Sequence, residues 1–232
     1  MSENILKIGH RGAAGYEPEN TLASFKKALD LGVDVIELDV HACKTGELVV
    51  IHDDKVDRTT NGKGYVTEKT FEELRFLNAG KGQKIPKIEE VLDLLKNRVI
   101  VNIELKGAKT AEPVFKIIEA YLIEKNWKKK NFIVSSFNHP ELKKFKNLMP
   151  EIKTCACLTG IPIDYAEFAK KAAADFVSLN MEFVNKEFVD DAHNRGLKVY
   201  VWTVNDSDDI EKMKALKVDG IFSNFPDRLN TT

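Results

Sequence analysis

Short apolar runs alternate along the chain with longer stretches in which apolar residues recur at helical spacing. The runs are rich in β-branched residues and predict strands, whereas the longer stretches predict amphipathic helices. Strands are expected at residues 5–9, 35–40, 47–52, 99–105, 131–137, 152–158, 175–179, 198–204 and 219–222. Helices are expected at residues 71–77, 88–95, 113–124, 140–148, 165–173, 186–195 and 207–216. A further helix should begin at Asn20 as N-cap and end at Gly32.

The second predicted strand carries two acidic residues, Glu37 and Asp39, inside an apolar run. Side chains of a strand alternate between its faces, so these two carboxylates project on the same side. In a core they would repel each other and lose hydration, which is costly unless a cation joins them. A solvated face on an edge strand is the alternative. The apolar neighbours Val35, Leu38 and Val40 favour a central, buried strand.

A hairpin is predicted directly after this strand. Gly46 can adopt a positive φ without steric cost, so Thr45 and Gly46 are the expected turn residues. In that register Lys44 pairs with Glu47, and His52 lies opposite Asp39. This register predicts an imidazole across from the acidic face. An acid/base group would then lie beside a metal ion held by the two carboxylates.

The regular alternation of strands and helices predicts parallel βα units with right-handed crossovers. Residues 47–52 return too soon for a crossover helix and belong to the hairpin. The eight remaining strands favour an α/β fold of the (β/α)₈ TIM-barrel type over an open, doubly wound sheet. We expect a single domain over residues 1–232. Residues 41–86 would form a small inserted, cap-like segment after the second strand.

Polar and aromatic side chains gather at the predicted carboxyl ends of the barrel strands, where barrel active sites lie. These side chains are His10, Arg11, Glu37, Asp39, His52, Glu104, Lys106, Phe137, Asn180 and Trp202. Three carboxylates from adjacent strands form a hard oxygen site suited to Mg²⁺ or Ca²⁺. Two histidines beside such a metal can act as general acid and base. The cationic Arg11 and Lys106 suit the transition state of a phosphate ester.

The composition of the chain bears on whether it binds nucleic acid and on the cellular compartment in which it works. The chain has 232 residues and a formal net charge of −1, which gives no support for nucleic-acid binding by bulk attraction. Its three cysteines do not form a disulfide framework. The first four residues show no signal peptide, and no segment approaches the about 20 apolar residues of a membrane span. We therefore expect a reduced, soluble, cytoplasmic protein without stable membrane insertion.

Several motifs together resemble one enzyme family. They are His10-Arg11-Gly12, Pro18-Glu19-Asn20-Thr21, Glu37-Leu38-Asp39, Val49-Val50-Ile51-His52-Asp53, Arg58-Thr59-Thr60, Asn102-Ile103-Glu104-Leu105-Lys106, Ser135-Ser136-Phe137, Trp202-Thr203-Val204-Asn205 and Asp219-Gly220-Ile221. In this order they look like the signature of the glycerophosphodiester phosphodiesterases, in particular the small bacterial members. The resemblance implies a TIM barrel and metal-dependent hydrolysis of glycerophosphodiesters to sn-glycerol 3-phosphate and an alcohol.

The resemblance also implies roles for individual residues. Glu37, Asp39 and Glu104 would hold one divalent cation, Mg²⁺ or Ca²⁺. His10 and His52 would be the acid/base pair of catalysis.

Four further residues would bind the substrate. Arg11 and Lys106 would contact the phosphate, while Phe137 and Trp202 would line the pocket. The chain departs from the family at Asn224, where the family often has aspartate. This change lies in the last loop and not among the metal ligands, so we expect it to affect only fine detail of the pocket.

Two other functions fit the same barrel less well. A phospholipase D-like lyase would stop at a cyclic phosphate and would need an apolar track, to which Phe71, Phe76 and Leu77 could contribute. A non-enzymatic binding module should have lost a carboxylate or a histidine, and none is missing. The sequence leaves open a homodimer, the alcohol group and whether water or a substrate hydroxyl is the nucleophile. It also does not assign which histidine is the acid.

Overall fold

Eight parallel strands close into a barrel in the computed structural model, which describes residues 5–230. The strands of the described part are β1 (Leu6–Gly9), β2 (Val35–Ala42), β3 (Leu48–Val50), β4 (Ile100–Leu105), β5 (Phe132–Ser136), β6 (Lys153–Leu158), β7 (Phe176–Asn180), β8 (Lys198–Trp202) and β9 (Gly220–Ser223). Their order is β1-β9-β8-β7-β6-β5-β4-β2-β3, and β1 also pairs with β2. This last pairing closes the sheet, so the predicted (β/α)₈ barrel is confirmed and the open sheet is wrong.

Helices connect the barrel strands, as the helical spacing predicts. Those of the described chain are α1 (Leu22–Asp30), α2 (Phe71–Phe76), α3 (Ile88–Leu95), α4 (Ala111–Glu124), α5 (His139–Leu148), α6 (Glu167–Lys171), α7 (Lys186–Asn194) and α8 (Ser207–Ala215). The cap of α1 is Thr21, whose side chain accepts a hydrogen bond from the Ser24 amide. The prediction of Asn20 as N-cap is therefore wrong. Gly32 follows the helix with a φ of 72°, as expected.

The antiparallel hairpin of β2 and β3 differs by one residue from the predicted register. The Ile51 amide donates to the Asp39 carbonyl at 3.0 Å, so Asp39 lies opposite Ile51 and not opposite His52. The cause is Gly46, which has a φ of 97° and donates its amide to the Cys43 carbonyl. A turn followed by a glycine in this conformation makes a three-residue loop with a bulge, and the extra residue shifts the ladder.

Strand alternation divides the apolar residues between two layers. One face of the barrel strands packs in the interior around Ile8, Val35, Ile133 and Tyr200. The other face packs against the helices in a larger core. A separate small cluster around Val56 holds together the segment between β2 and α3. These packed layers fix the strand ends, and the strand ends position the site.

The remaining expectations from the sequence concern the cysteines, membrane spans, a signal peptide and the domain bounds. The cysteines Cys43, Cys155 and Cys157 are all buried and free. None of the helices within residues 5–230 has the length and apolar character needed to cross a membrane. The expectation that there is no signal peptide concerns residues 1–4, which lie outside the described part of the chain. One domain over residues 1–232 with an insertion at 41–86 stays a prediction.

Candidate active site

Three carboxylates converge at the carboxyl ends of β2 and β4. The parallel register sets Asp39 beside Glu104, and Glu37 lies two residues before Asp39 on the same face. One carboxylate oxygen from each residue lies within 4.8 Å of the other two. Glu37 and Asp39 are only 2% and 1% exposed. The predicted metal ligands therefore come together in a buried position.

The electrostatics of this acidic trio favour a cation. Burial, together with the charges of Asp39 and Glu104, raises the pKa of Glu37 well above its ordinary value. Burial and the charge of Asp39 likewise raise the pKa of Glu104 to about 7, although Lys106 opposes this rise. The Lys106 ammonium lies 2.9 Å from a Glu104 oxygen. Buried carboxylate oxygens with excess negative charge fit a hard divalent cation, so the trio could hold a metal ion.

Arg11 and Asn20 bind this trio from the loop between β1 and α1. The Arg11 amide donates to Glu37 Oε2 at 2.8 Å, and its guanidinium Nε lies 3.4 Å from Asp39 Oδ2. Asn20 donates from Nδ2 to the same Asp39 oxygen at 2.8 Å. Sequence reasoning missed this role of Asn20. Its signal is its place in the motif Pro18-Glu19-Asn20-Thr21, which resembles the family.

His10 lies at the end of β1, where the closing strand β9 runs beside it. Its Nδ1 is 2.8 Å from Asn224 Oδ1, and its amide donates to the Ser223 carbonyl at 3.0 Å. Burial, and next the charge of Arg11, lower the pKa of His10 to about 4. Asn224 lies in the last loop and outside the acidic trio, as expected, and it also contacts His10 directly.

His52 reaches the barrel mouth from the segment that follows β3. Its Nδ1 lies 2.6 Å from Asp53 Oδ1, and Arg58 donates to both oxygens of that carboxylate at 2.7 and 2.9 Å. The side chain of His52 lines a small cleft together with Glu19 and Asn20. The predicted site includes neither Asp53 nor Arg58, although both stand in motifs that resemble the family.

Two aromatic side chains meet at the rim formed by β5 and β8. The rings of Phe137 and Trp202 contact each other edge to face, with centroids 5.5 Å apart. The Lys106 ammonium lies 5.4 Å from the Phe137 centroid, within cation–π range. The indole Nε1 of Trp202 is buried without a hydrogen-bond partner. The predicted pocket residues therefore adjoin Lys106.

The apolar track that a lyase acting on lysolipids would need is not formed by the three candidate residues. Phe71 and Leu77 pack against the small cluster around Val56. Phe76 is 83% exposed and points away from that cluster. Phe71 and Leu77 therefore face the interior of the inserted segment while Phe76 faces solvent, and the three side chains do not share one apolar surface.

Known proteins match both the sequence and the fold. A model of the glycerophosphoryl diester phosphodiesterase family matches residues 10–228. The glycerophosphodiester phosphodiesterase of Caldanaerobacter subterraneus subsp. tengcongensis is 39% identical over 239 residues, which cover 97% of this chain and 96% of that protein. The glycerophosphodiester phosphodiesterase of Bacillus altitudinis is 38% identical over 237 residues, which cover 95% of this chain and 95% of that protein.

A solved structure supports the same assignment. The Oleispira antarctica phosphodiesterase, in complex with its product sn-glycerol-3-phosphate, superposes with a TM-score of 0.87 at 29% identity and covers 96% of this chain and 94% of its own. Fold and site thus define a phosphodiesterase of the TIM-barrel class. The chain belongs to the glycerophosphoryl diester phosphodiesterase family, a family of hydrolases. The activity predicted from the sequence motifs is confirmed at this level.

Proposed function

We propose that this chain hydrolyses glycerophosphodiesters to sn-glycerol 3-phosphate and an alcohol, with Mg²⁺ or Ca²⁺ held by Glu37, Asp39 and Glu104. The convergence of these three carboxylates at the barrel mouth carries the proposal. A bound divalent cation would act as a Lewis acid on a phosphoryl oxygen. The product sn-glycerol-3-phosphate in the Oleispira antarctica structure supports the substrate class.

The two histidines differ in their partners, and this difference supports separate roles. Burial and the charge of Arg11 lower the pKa of His10 and keep it uncharged, and its partner Asn224 is a neutral amide. If Nδ1 donates to Asn224 Oδ1, the lone pair of Nε2 is available to accept a proton, so His10 is the proposed base. His52 pairs with the Asp53 carboxylate, which can balance a positive imidazolium, so His52 is the proposed acid.

The proton movements follow from these roles. His10 Nε2 takes the proton of the attacking oxygen, and His52 gives a proton to the oxygen of the departing alcohol. The attacking oxygen belongs to water or to the glycerol hydroxyl next to the ester. In the second case a cyclic phosphate forms first. Hydrolysis in ¹⁸O-labelled water, with trapping of a cyclic product, distinguishes the two routes.

The cationic and aromatic residues would bind the substrate. Arg11 and Lys106 supply positive charge beside the acidic trio, where a phosphate group would be stabilised. Phe137 and Trp202 would form the apolar wall of the pocket. The sequence further predicts a cytoplasmic protein and leaves a homodimer open; cell fractionation and sedimentation test these points.

The direct test is a panel of glycerophosphodiesters assayed for glycerol 3-phosphate release with and without chelator. Chelation should abolish release, and restored Mg²⁺ or Ca²⁺ should return it. Release that persists after complete metal removal would refute metal dependence.

The histidine roles are tested by His10→Ala and His52→Ala. Each should lose about two to four orders of magnitude in turnover, the usual range for general acid–base groups, while metal affinity stays nearly intact. His193→Ala is a matched control, because His193 pairs with Asp219 at 2.9 Å and has no place in the site. Turnover of either site variant equal to that of the control would remove that histidine from the mechanism.

A further inference from the structure

Arg58 belongs to the motif Arg58-Thr59-Thr60, to which the proposed reaction assigns no role. Its guanidinium makes two bidentate pairs at once. Nη1 and Nη2 donate to the two oxygens of Glu19, both at 2.8 Å. Nε and Nη2 donate to the two oxygens of Asp53 at 2.7 and 2.9 Å. Bidentate arginine–carboxylate pairs fix the relative orientation of both groups more strongly than single contacts do.

Each of these two carboxylates continues to a predicted active-site residue. Glu19 Oε1 accepts a hydrogen bond from Arg11 Nη1 at 2.7 Å. Asp53 Oδ1 lies 2.6 Å from His52 Nδ1. Arg58 therefore stands at the centre of an unbroken chain of contacts that begins at the proposed phosphate contact and ends at the proposed acid.

The chain also joins two separate parts of the fold. Arg11 and Glu19 lie between β1 and α1, at the barrel mouth, whereas His52 and Asp53 lie beyond β3 in the segment that precedes α3. Glu19 and Asp53 would repel each other without a cation between them. The hydroxyl of Thr60 donates to the carbonyl of the buried Val56 at 2.7 Å and helps to hold the Arg58 loop in place.

We propose, on the basis of the proposed function, that Arg58 is a positioning residue that sets Arg11 and His52 relative to each other through Glu19 and Asp53. The charges in the chain agree with this role. Burial would raise the pKa of Glu19, but the hydrogen bonds from Arg58 and the charge of Arg11 lower it to about 2. Hydrogen bonds from Arg58, and then from His52, lower the pKa of Asp53. Both carboxylates therefore remain ionised as acceptors at neutral pH.

A solvent-exposed ion pair usually contributes little to stability, which is the competing explanation. The Arg58 side chain is 49% exposed. Arg75 provides a matched control in the same segment: it makes a bidentate pair with Glu90, both contacts at 2.8 Å, and its side chain is 40% exposed. The pair of Arg75 leads to no predicted site residue, so only Arg58 should affect catalysis.

The experiment compares kcat and KM for glycerol 3-phosphate release by wild type, Arg58→Gln, Arg58→Lys and Arg75→Gln with saturating Mg²⁺. Arg58→Gln should lower kcat/KM by about 10–100-fold, the usual effect of removing a group that orients a reacting one. The loss should appear in kcat through His52 and in KM through Arg11. Arg58→Lys should recover little, because an ammonium cannot form two bidentate pairs. Arg75→Gln should keep wild-type kinetics whatever its melting temperature.

A mutant cycle separates positioning from general destabilisation. In the Glu19→Gln, Asp53→Asn background, Arg58→Gln should cause almost no further loss of kcat/KM. The two carboxylates through which Arg58 acts on the site are already absent from that background. Wild-type kinetics in Arg58→Gln, or a loss that adds in full in that background, overturns the inference. If Arg58→Gln does not fold, Arg58→Lys decides in the same way. A wild-type enzyme that releases no glycerol 3-phosphate from any diester refutes the proposed function instead.

Discussion

Glu37→Gln tests whether the acidic trio exists to bind a cation. In the metal-free protein, two ionised carboxylates with oxygens within 4.8 Å repel each other by at least about 3.5 kcal/mol at an effective dielectric constant near 20. At Glu37, burial and the charges of Asp39 and Glu104 together outweigh the opposing charge of Arg11, so its pKa lies well above the ordinary value. Protonating a glutamate of ordinary pKa 4.5 at pH 7 costs only about 3.4 kcal/mol. Glu37 is therefore expected to be neutral when no metal is bound.

Glutamine has nearly the shape of a neutral glutamate and can still accept the Arg11 amide hydrogen bond. The variant should therefore fold with nearly wild-type stability in the presence of chelator. The difference in unfolding stability between Glu37→Gln and wild type should appear only when metal is added. At a metal concentration of about 100 times Kd, wild type gains about 2.7 kcal/mol. For a chain of this size, that gain raises Tm by about 5–11 °C.

Thermal unfolding with chelator, Mg²⁺ or Ca²⁺ is the assay, and NaCl at matched ionic strength is the control. Glu37→Gln should lose most of the metal-induced rise in Tm and also the release of glycerol 3-phosphate. Two results would refute the reasoning: a large loss of stability with chelator present, or a metal-induced rise in Tm equal to that of wild type. The first would show a structural carboxylate, and the second would place the metal elsewhere.

Two further predictions concern pH. The pKa of Glu104 is raised to about 7 without metal, so a proton competes with the cation below that pH. Metal affinity should therefore fall as pH falls, by up to about tenfold per pH unit for each proton displaced. Calorimetry at pH 6 and 8 measures the metal Kd, and the same Kd at both pH values would contradict the prediction. Asn224→Asp should place a carboxylate against His10 Nδ1 and raise the pKa of His10 from about 4, despite the opposing charge of Arg11. The acidic limb of the kcat/KM profile should then move to higher pH, and an unmoved limb would count against His10 as the base.

The barrel and the acidic trio could be predicted from sequence because both depend on short-range periodicity. The period of two in β2 places Glu37 and Asp39 on one face whatever the rest of the fold. Glu104 occupies the equivalent position at the end of β4, and parallel neighbours bring equivalent ends together. Local spacing and strand count were sufficient, so this part of the site needed no knowledge of loops.

The hairpin and the first helix cap were wrong for a different reason. Gly46 fits the second position of a two-residue turn and also the last position of a three-residue loop with a bulge. The two-residue type I′ turn would need a positive φ at the β-branched Thr45 as well, and only Gly46 adopts one. Asn20 and Thr21 are both good caps, but Asn20 is held with a φ of 57° while its amide binds Asp39. A side chain recruited by a buried charge is no longer available for capping. Local propensity cannot register that competition.

The contact between His10 and Asn224 joins residues 214 positions apart, yet it follows from the closure of the barrel. Once eight strands close, β9 must lie beside β1, and their parallel register puts Gly9 opposite Ser223. The next residue on each strand is then His10 and Asn224. A substitution in the last loop of a closed barrel therefore acts on the first strand, so the chemistry of His10 depends on a residue near the opposite end of the chain.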